Sequence, residues 1–261
     1  MSIVPGGSEP APFSSRNTDL ADMQAIQEFI DEGVVASVLN VVKSGKEATV
    51  YRCRAGRGVG PRFVAAKVYH AAGFRNFGNA AVYSEGREIR NGQVRRAIAK
   101  RSQFGREAGA AIWVNREFDA LTALFDAGAD VPEPFFATDR AILMEFVGDA
   151  ESAAVQLQNA TMDREHAESI LDRLLWNIEL WLDNWYVHAD LSAFNILCWQ
   201  GDVKVIDFPQ ALDPRMAPPA RRLLGRDVGN VARYFARYGL SLDAEAFTDQ
   251  LWDRFRHGEL G

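Results

Sequence analysis

Apolar positions recur along the chain with two different spacings, and each spacing predicts one kind of element. Runs rich in β-branched and apolar residues, bounded by turn-forming residues, predict five strands in the first part of the chain, at residues 34–42, 48–53, 62–69, 135–136 and 141–146. Apolar residues three and four apart predict helices at residues 18–33, 107–127, 163–186 and 244–255, with two more between residues 220 and 235. Strands therefore dominate the first half and helices the second.

The order of these elements predicts an α+β chain of two lobes. Three consecutive antiparallel strands cannot bury both faces alone, so the helix at residues 107–127 is expected to pack on the sheet. Gly148 ends the last strand of this group, so Glu145 to Gly148 is a natural crossover into a second lobe. We therefore expect an N-lobe at residues 18–147 and a C-lobe at residues 148–261, after a Pro-, Gly- and Ser-rich mobile tail at residues 1–17.

The apolar face of the helix at residues 163–186 is broad, and it includes Trp181 and Trp185. A face this wide must be buried inside a lobe, so both tryptophans are expected in the core. The helix also leads directly into the most polar loop of the second half.

Composition narrows the class of protein only slightly. The 261 residues carry a net charge of -6 and contain two cysteines, both in apolar runs. A disulfide framework is therefore not expected, and a cytoplasmic protein is the simpler interpretation. No run approaches the ~18 apolar residues of a membrane span. The basic residues at 71–106 predict either a mobile insertion or a contact surface for RNA or an acidic partner, and the sequence does not choose between them.

A polar loop between apolar runs carries the clearest chemistry. Residues 187–197 and 203–208 are expected to present Asp190, Asn195 and Asp207 together. Carboxylate and amide oxygens without clustered His or Cys suit Mg²⁺ rather than zinc. An Asp beside an Asn/Asp pair is also what phosphoryl transfer requires, although Asp and Asn are common in ordinary turns.

Lys67 is the second chemical signal, because it interrupts an otherwise apolar strand. Burying an unpaired ammonium costs several kcal/mol, so Lys67 needs a carboxylate, and Glu117 on the following helix is the candidate. The turn at residues 44–47 contains one glycine, whose exposed N–H groups suit phosphate oxygens. A plain hairpin remains the alternative for this turn, and an edge-strand lysine that reaches solvent remains the alternative for Lys67.

Taken in order, these motifs resemble a protein-kinase fold, and specifically the RIO-type atypical serine kinases of the first RIO subfamily. The resemblance covers residues 34–238 approximately. The motifs on which it rests are the turn Ser44-Gly45-Lys46-Glu47-Ala48, the strand Ala66-Lys67-Val68-Tyr69, Glu117, the crossover Met144-Glu145-Phe146-Val147-Gly148, the loop His188-Ala189-Asp190 to Asn195, and Ile206-Asp207-Phe208-Pro209-Gln210.

The resemblance implies a role for each matching position. Lys67, paired with Glu117, would hold the α- and β-phosphates of ATP, and Asp190 would accept the proton of the attacking hydroxyl. Asn195 and Asp207 would bind Mg²⁺, with Mn²⁺ as an alternative ion. The remaining implied nucleotide contacts are Ser44, Gly45 and Lys46 at the phosphates, Val50, Ala65 and Leu197 around adenine, the backbone of Glu145 and Val147 at its edge, and Met144 at the back of the pocket.

Departures from ordinary protein kinases shape the expected function. Ser192 stands where many such kinases carry a lysine, and no Ala-Pro-Glu element follows Asp207. The resemblance therefore implies phosphorylation of Ser on the protein itself or on a partner, with ATP hydrolysis through a phosphorylated Asp207 as an equal expectation. The relatives' role in ribosome maturation suggests a ribosomal partner. Two alternatives remain: a nucleotide-gated binding module, and a small-molecule kinase of the aminoglycoside or choline type.

Overall fold

The computed structural model describes residues 20–70 and 103–260. The predicted tail at residues 1–17, the predicted helix cap at Asn17 or Thr18, and residues 71–102 of the predicted basic insertion lie outside the described residues. The last four residues of that insertion, 103–106, begin a helix.

A five-stranded antiparallel sheet forms the first half of the described chain. Its strands are β1 (Val35–Ser44), β2 (Ala48–Ala55), β3 (Phe63–Tyr69), β4 (Pro134–Ala137) and β5 (Ala141–Glu145), in the spatial order β1-β2-β3-β5-β4. All five predicted strands are therefore present. The register places Lys67 in the middle of the sheet, opposite Val50 on β2 and Ile142 on β5.

Two helices cover this sheet from opposite sides. Helix α1 (Leu20–Asp31) buries Ile26 and Phe29 against one face, and helix α2 (Gln103–Asp126) packs against the other. Successive side chains of a strand point to opposite faces. Val64, Ala66 and Val68 of β3 therefore join the core under α1, whereas Ala65 and Tyr69 join the core that contains α2. Lys67 shares the second face by the same alternation.

Helices dominate the second half, together with a small sheet. The elements are β6 (Val155–Gln156), α3 (Arg164–Asp183), β7 (Ile196–Trp199), β8 (Asp202–Val205), α4 (Ala220–Phe235) and α5 (Ala244–His257), with β6, β7 and β8 forming a three-stranded sheet. Asp163 caps α3 by accepting a hydrogen bond from the His166 N–H at 2.9 Å, as its position in the sequence predicted. The α+β, two-lobed prediction is confirmed.

Two local predictions were wrong, and one strand was not predicted. Residues 220–235 form one helix rather than two, because the buried face of Leu223, Leu224 and Val228 outweighs the helix cost of two glycines. Strand β6 was not predicted, since two residues are too few for a periodic signal. Trp185 is 51% exposed instead of buried, because α3 ends at Asp183 and Trp185 adopts a φ of 64°. Trp181, by contrast, lies in the core as expected.

In the described segments, none of the helices combines the length and the apolar character that crossing a bilayer requires.

We expect Gly56→Ala to destabilise the fold by about 2 kcal/mol or more, because the added Cβ would overlap rigid backbone. The Gly56 N–H donates to Val34 O at 2.8 Å, and a Cβ at Gly56 would lie 1.8 Å from Gly33 O. Gly60→Ala is the matched control, since a Cβ there meets nothing within 4 Å. Urea unfolding measures both variants, and equal midpoints for the two would contradict the expectation.

Candidate active site

Three ionisable side chains from separate parts of the chain meet at the centre of the fold. The Lys67 ammonium donates to both carboxylate oxygens of Glu117 at 2.8 Å and also to Asp207 Oδ1. Lys67 and Glu117 are only 8% and 1% exposed, so water cannot solvate either charge fully. Glu117 also accepts a hydrogen bond from the Phe208 N–H at 3.3 Å. The predicted Lys67–Glu117 pair is therefore present, with Asp207 as a further partner of Lys67.

The charges in this group depend on one another. Burial by itself lowers the pKa of Lys67, but the carboxylates of Asp207 and Glu117 outweigh burial and raise that pKa above its ordinary value. Burial would also raise the pKa of Asp207, yet the adjacent Lys67 charge keeps it below its ordinary value. Burial raises the pKa of Glu117, and Lys67 opposes that shift. Lys67 is thus the cation that allows two carboxylates to share one buried site.

Asp207 is held in an uncommon backbone conformation directly after β8. Its φ is 77°, in the left-handed region that few residues other than glycine adopt. The preceding Ile206 N–H donates to Asn195 O at 2.9 Å, which ties this segment to the polar loop after α3. Asp207 and Asn195, the two predicted metal ligands, are therefore carried by directly bonded segments.

The donor atoms at this place suit a hard divalent cation. The Asn195 Nδ2 group donates to Asp190 O at 3.0 Å, so Oδ1 is the atom with which Asn195 would ligate a metal. Asp207 supplies a carboxylate. One amide and one carboxylate suit Mg²⁺, which usually keeps several waters and binds substrate phosphates as well. Among the described residues no group of three or more His, Cys, Asp or Glu side chains could hold a metal ion by itself.

A buried carboxylate on α4 holds the polar loop from beneath. Asp227, 2% exposed, accepts hydrogen bonds from the Ala189 N–H at 2.7 Å and the Leu191 N–H at 3.1 Å. Arg226 donates to Ala189 O, and Asn230 donates to Leu191 O at 2.9 Å. Burial raises the pKa of Asp227 to about 7, although both N–H groups oppose this. Both residues that flank Asp190 are therefore fixed by α4.

The sequence predictions did not assign a role to this support. Its signal is present in the sequence, since Arg226, Asp227 and Asn230 are polar positions beside the apolar stripe of one helix. A buried Asp on such a helix needs donors, but nothing in the local pattern says which backbone supplies them.

His188 is a second supporting residue without a predicted role. Its ring is 1% exposed and lies 4.5 Å from the Phe208 ring, measured between centroids. Nε2 lies 3.2 Å from Ile206 O, and Nδ1 lies 3.2 Å from the Asp190 N–H. One nitrogen must therefore donate while the other accepts, which is the pattern of a neutral imidazole. Burial agrees, since it lowers the pKa of His188 to about 4.

A cavity of about 670 Å³ opens between the sheet and the second half of the chain. Most predicted site residues line it: Gly45, Lys46, Val50, Ala65, Lys67, Glu117, Met144, Glu145, Val147, Leu197 and Asp207. Ser44, Asp190 and Asn195 do not line it. Ser44 lies at the end of β1, and the other two belong to the loop that α4 supports. The structure thus brings eleven of the fourteen predicted residues to one cleft, while their individual roles stay predictions.

An antiparallel sheet above a helical lobe, with a Lys–Glu pair at the cleft, defines the protein-kinase-like class. Comparisons with known proteins agree. The RIO domain family model matches residues 37–247. The RIO-type serine/threonine-protein kinase Rio2 of Methanocaldococcus jannaschii is 30% identical over 86% of this chain and 77% of that protein. Rio1 of Haloferax volcanii is 27% identical over 87% of this chain and 73% of that protein.

A solved structure shows the same fold. The Rio2 kinase–ADP/Mg²⁺–phosphoaspartate complex from Chaetomium thermophilum aligns with a TM-score of 0.64 at 21% identity. The alignment covers 87% of this chain and 65% of that one. The chain belongs to the RIO family of serine/threonine-protein kinases, and the resemblance seen in the motifs is confirmed.

We expect acid to destabilise the wild-type protein more than a His188→Gln variant. The folded pKa of His188, about 4, lies below its ordinary 6.5, so its stabilising contribution is complete above pH 6.5 and is lost towards pH 4. The loss is on the order of 3 kcal/mol, because each pKa unit is worth about 1.4 kcal/mol. Urea unfolding at several pH values between 7 and 4 measures the difference in stability between the two proteins. Carboxylates common to both change the two stabilities equally, so they cancel in this difference. Parallel curves would contradict the expectation.

Proposed function

We propose that this protein transfers the γ-phosphate of ATP, with Mg²⁺, to a serine of a protein, either itself or a partner. The observation that carries the proposal is the Lys67 ammonium held by Glu117 and Asp207 at the wall of the cleft. A rigid cation beside a carboxylate that is suited to a metal is what the phosphates of a nucleotide require. Membership of the RIO family favours a protein acceptor over a small molecule.

The adenine would lie between the lobes. Val50 and Ala65 on the sheet and Leu197 on β7 line opposite sides of the cavity, and Met144 would close its back. The Val147 carbonyl already accepts a hydrogen bond from the Ala154 N–H at 2.9 Å. We therefore assign the Val147 N–H, together with the Glu145 backbone, to the edge of the base.

The metal ion would be held by Asn195 and Asp207. Bound there, Mg²⁺ would neutralise phosphate charge. The residues themselves fix the ligand atoms: Asn195 is oriented by Asp190 O, and Asp207 is oriented by Lys67. The C. thermophilum Rio2 kinase is described with ADP and Mg²⁺, which supports a nucleotide and Mg²⁺ for this chain.

Asp190 would orient the attacking hydroxyl and accept its proton. Burial raises the pKa of this carboxyl, Arg226 opposes the shift, and Asp207 adds to it. A raised pKa makes the carboxylate a better base. The Ala189 and Leu191 N–H groups bonded to Asp227 fix the backbone on both sides of Asp190, so its position does not depend on the acceptor.

ATP hydrolysis through Asp207 is the second candidate. The Asp207 side chain is 41% exposed, whereas those of Lys67 and Glu117 are 10% and 1% exposed, so Asp207 is the member of the group that a γ-phosphate can reach. An Asp207 oxygen would attack the γ-phosphorus, ADP would leave, and water would then cleave the acyl phosphate. The phosphoaspartate of the C. thermophilum complex supports this reading.

A ribosomal or RNA partner and the cytoplasmic location stay predictions. The basic residues from which that partner was expected lie almost entirely outside the described residues.

Incubation of the full chain with γ-labelled ATP and Mg²⁺, followed by mapping of the label, tests both candidates. A stable phosphoserine supports the kinase function. A hydroxylamine-sensitive label that disappears in Asp207→Asn supports hydrolysis through phosphoaspartate. A protein that binds no adenine nucleotide in the presence of Mg²⁺, and neither labels itself nor releases phosphate, would overturn the proposal.

We expect Asp190→Asn to lower phosphoryl transfer by about 10²–10⁴-fold, because the variant keeps the shape of the side chain but cannot accept a proton. The Kd for ADP, measured by calorimetry with Mg²⁺, should stay within about threefold of the wild-type value, since Asp190 does not line the cavity. Asp202→Asn, an exposed change at the start of β8, serves as the control and should leave both quantities unchanged. Full activity in Asp190→Asn would exclude the assigned role.

A further inference from the structure

A chain of polar side chains runs from helix α1 through the sheet to the 44–47 turn. Asp22 accepts a hydrogen bond from the Tyr51 hydroxyl at 2.8 Å, and its Oδ2 lies 3.6 Å from His70 Nε2. The same ring nitrogen lies 2.9 Å from Thr49 Oγ1, which in turn lies 3.3 Å from Ser44 Oγ. None of these contacts is part of the Lys67 group.

His70 is attached to the turn at two points. Its backbone N–H donates to Glu47 O at 2.8 Å, at the end of the turn. Its ring reaches Thr49, and through Thr49 the hydroxyl of Ser44, at the beginning of the turn. Both sides of the turn are thereby connected to a single residue that follows β3.

The inner members of the chain are buried, whereas the turn is exposed. Asp22 is 2% and Thr49 is 4% exposed, but residues 44–47 all lie at the surface. Buried polar groups hold fixed positions because a buried group without a hydrogen-bond partner destabilises the fold. The exposed turn holds the Gly45 N–H through its own hydrogen bond to Ala48 O at 2.9 Å. The positions of its two ends depend in addition on the buried side chains beneath it, which reach Ser44 through Thr49 and Glu47 through the His70 N–H.

Burial and hydrogen bonding would also fit a purely structural role, in which the network only stabilises the packing of α1. That role predicts a loss of stability and an equal effect on every ligand. Contact of His70 with both ends of the turn predicts instead that only ligands with phosphates, which the turn meets, lose affinity when His70 is changed. The two roles are therefore separable by ligands that differ only in their phosphates.

We propose that His70 is a positioning residue, which holds the 44–47 turn in the geometry that receives nucleotide phosphates, and that Asp22 in turn orients the His70 ring. The inference rests on the proposed nucleotide-binding function and adds to it a connection between helix α1 and the phosphate end of the cleft.

The test compares the binding of adenosine and of ADP with Mg²⁺ by calorimetry, in wild-type protein and in His70→Leu. Adenosine lacks phosphates and does not meet the turn. We expect His70→Leu to lower the affinity for ADP by about tenfold, which is the effect of losing roughly one ordered hydrogen bond. The affinity for adenosine should stay within about twofold of the wild-type value. His70→Gln, which keeps a donor at the end of the side chain, should recover most of the ADP affinity. Asp22→Asn should give an intermediate loss for ADP alone.

Thr248→Val is the matched control, because it removes a buried hydrogen bond, from Thr248 Oγ1 to Ala244 O at 2.6 Å on helix α5, in the half of the chain that does not contain the turn. It should lower the urea midpoint and leave the ratio of ADP to adenosine affinity unchanged. Equal weakening of both ligands in His70→Leu, or no weakening of either, would overturn the inference while leaving the proposed function intact. If His70→Leu does not fold, an unchanged ratio of ADP to adenosine affinity in Asp22→Asn overturns it. Wild-type protein that binds neither ligand would overturn the proposed function and this inference together.

Discussion

The buried ammonium of Lys67 is the interaction on which the site depends. It is held by Glu117 from α2 and by Asp207 from the segment after β8, so one charge joins three separate parts of the chain. Removal of one partner from a buried ion pair typically costs about 3–5 kcal/mol, because the remaining charge is left without compensation. The group holds two carboxylates against one ammonium, and this excess of negative charge suits the binding of a metal cation in the same cleft.

Strain in the polar loop and in the segment that carries Asp207 is offset by hydrogen bonds with side chains of neighbouring elements. Ala189 and Asp207 have φ values of 63° and 77°, which L-residues adopt at a cost of about 1–2 kcal/mol. Asp227 binds the Ala189 N–H, and Lys67 binds Asp207, so each unfavourable backbone conformation lies beside an ionisable hydrogen-bond partner. Side chains that are fixed before the ligand arrives lose little entropy on binding. The same elements therefore stabilise the loop and prepare it for chemistry.

The end of the cleft proposed to receive phosphates is built differently from the end proposed to hold the metal, here called the phosphate end and the metal end. The metal end is fixed by charges, through Lys67, Asp207 and the loop held by Asp227. The 44–47 turn is exposed and contains one glycine, and its support is the polar chain from Asp22 through His70 to Thr49. On the inference that His70 positions the turn, helix α1 contributes to the proposed nucleotide site as well as to the core.

The sequence by itself determined every strand except β6 and most helices, because side-chain alternation is a local property. The cost of an unpaired buried charge required a carboxylate for Lys67, and Glu117 was the candidate that the structure confirmed. The sequence also indicated that Asp190, Asn195 and Asp207 share one place, since they lie within eighteen residues. Only the tertiary structure decided that Asp207 meets Lys67, 140 residues away, that Asp227 holds the loop, and that Trp185 faces solvent. Such contacts depend on how distant elements pack, and a periodic pattern along the chain carries no record of which partner lies across the core.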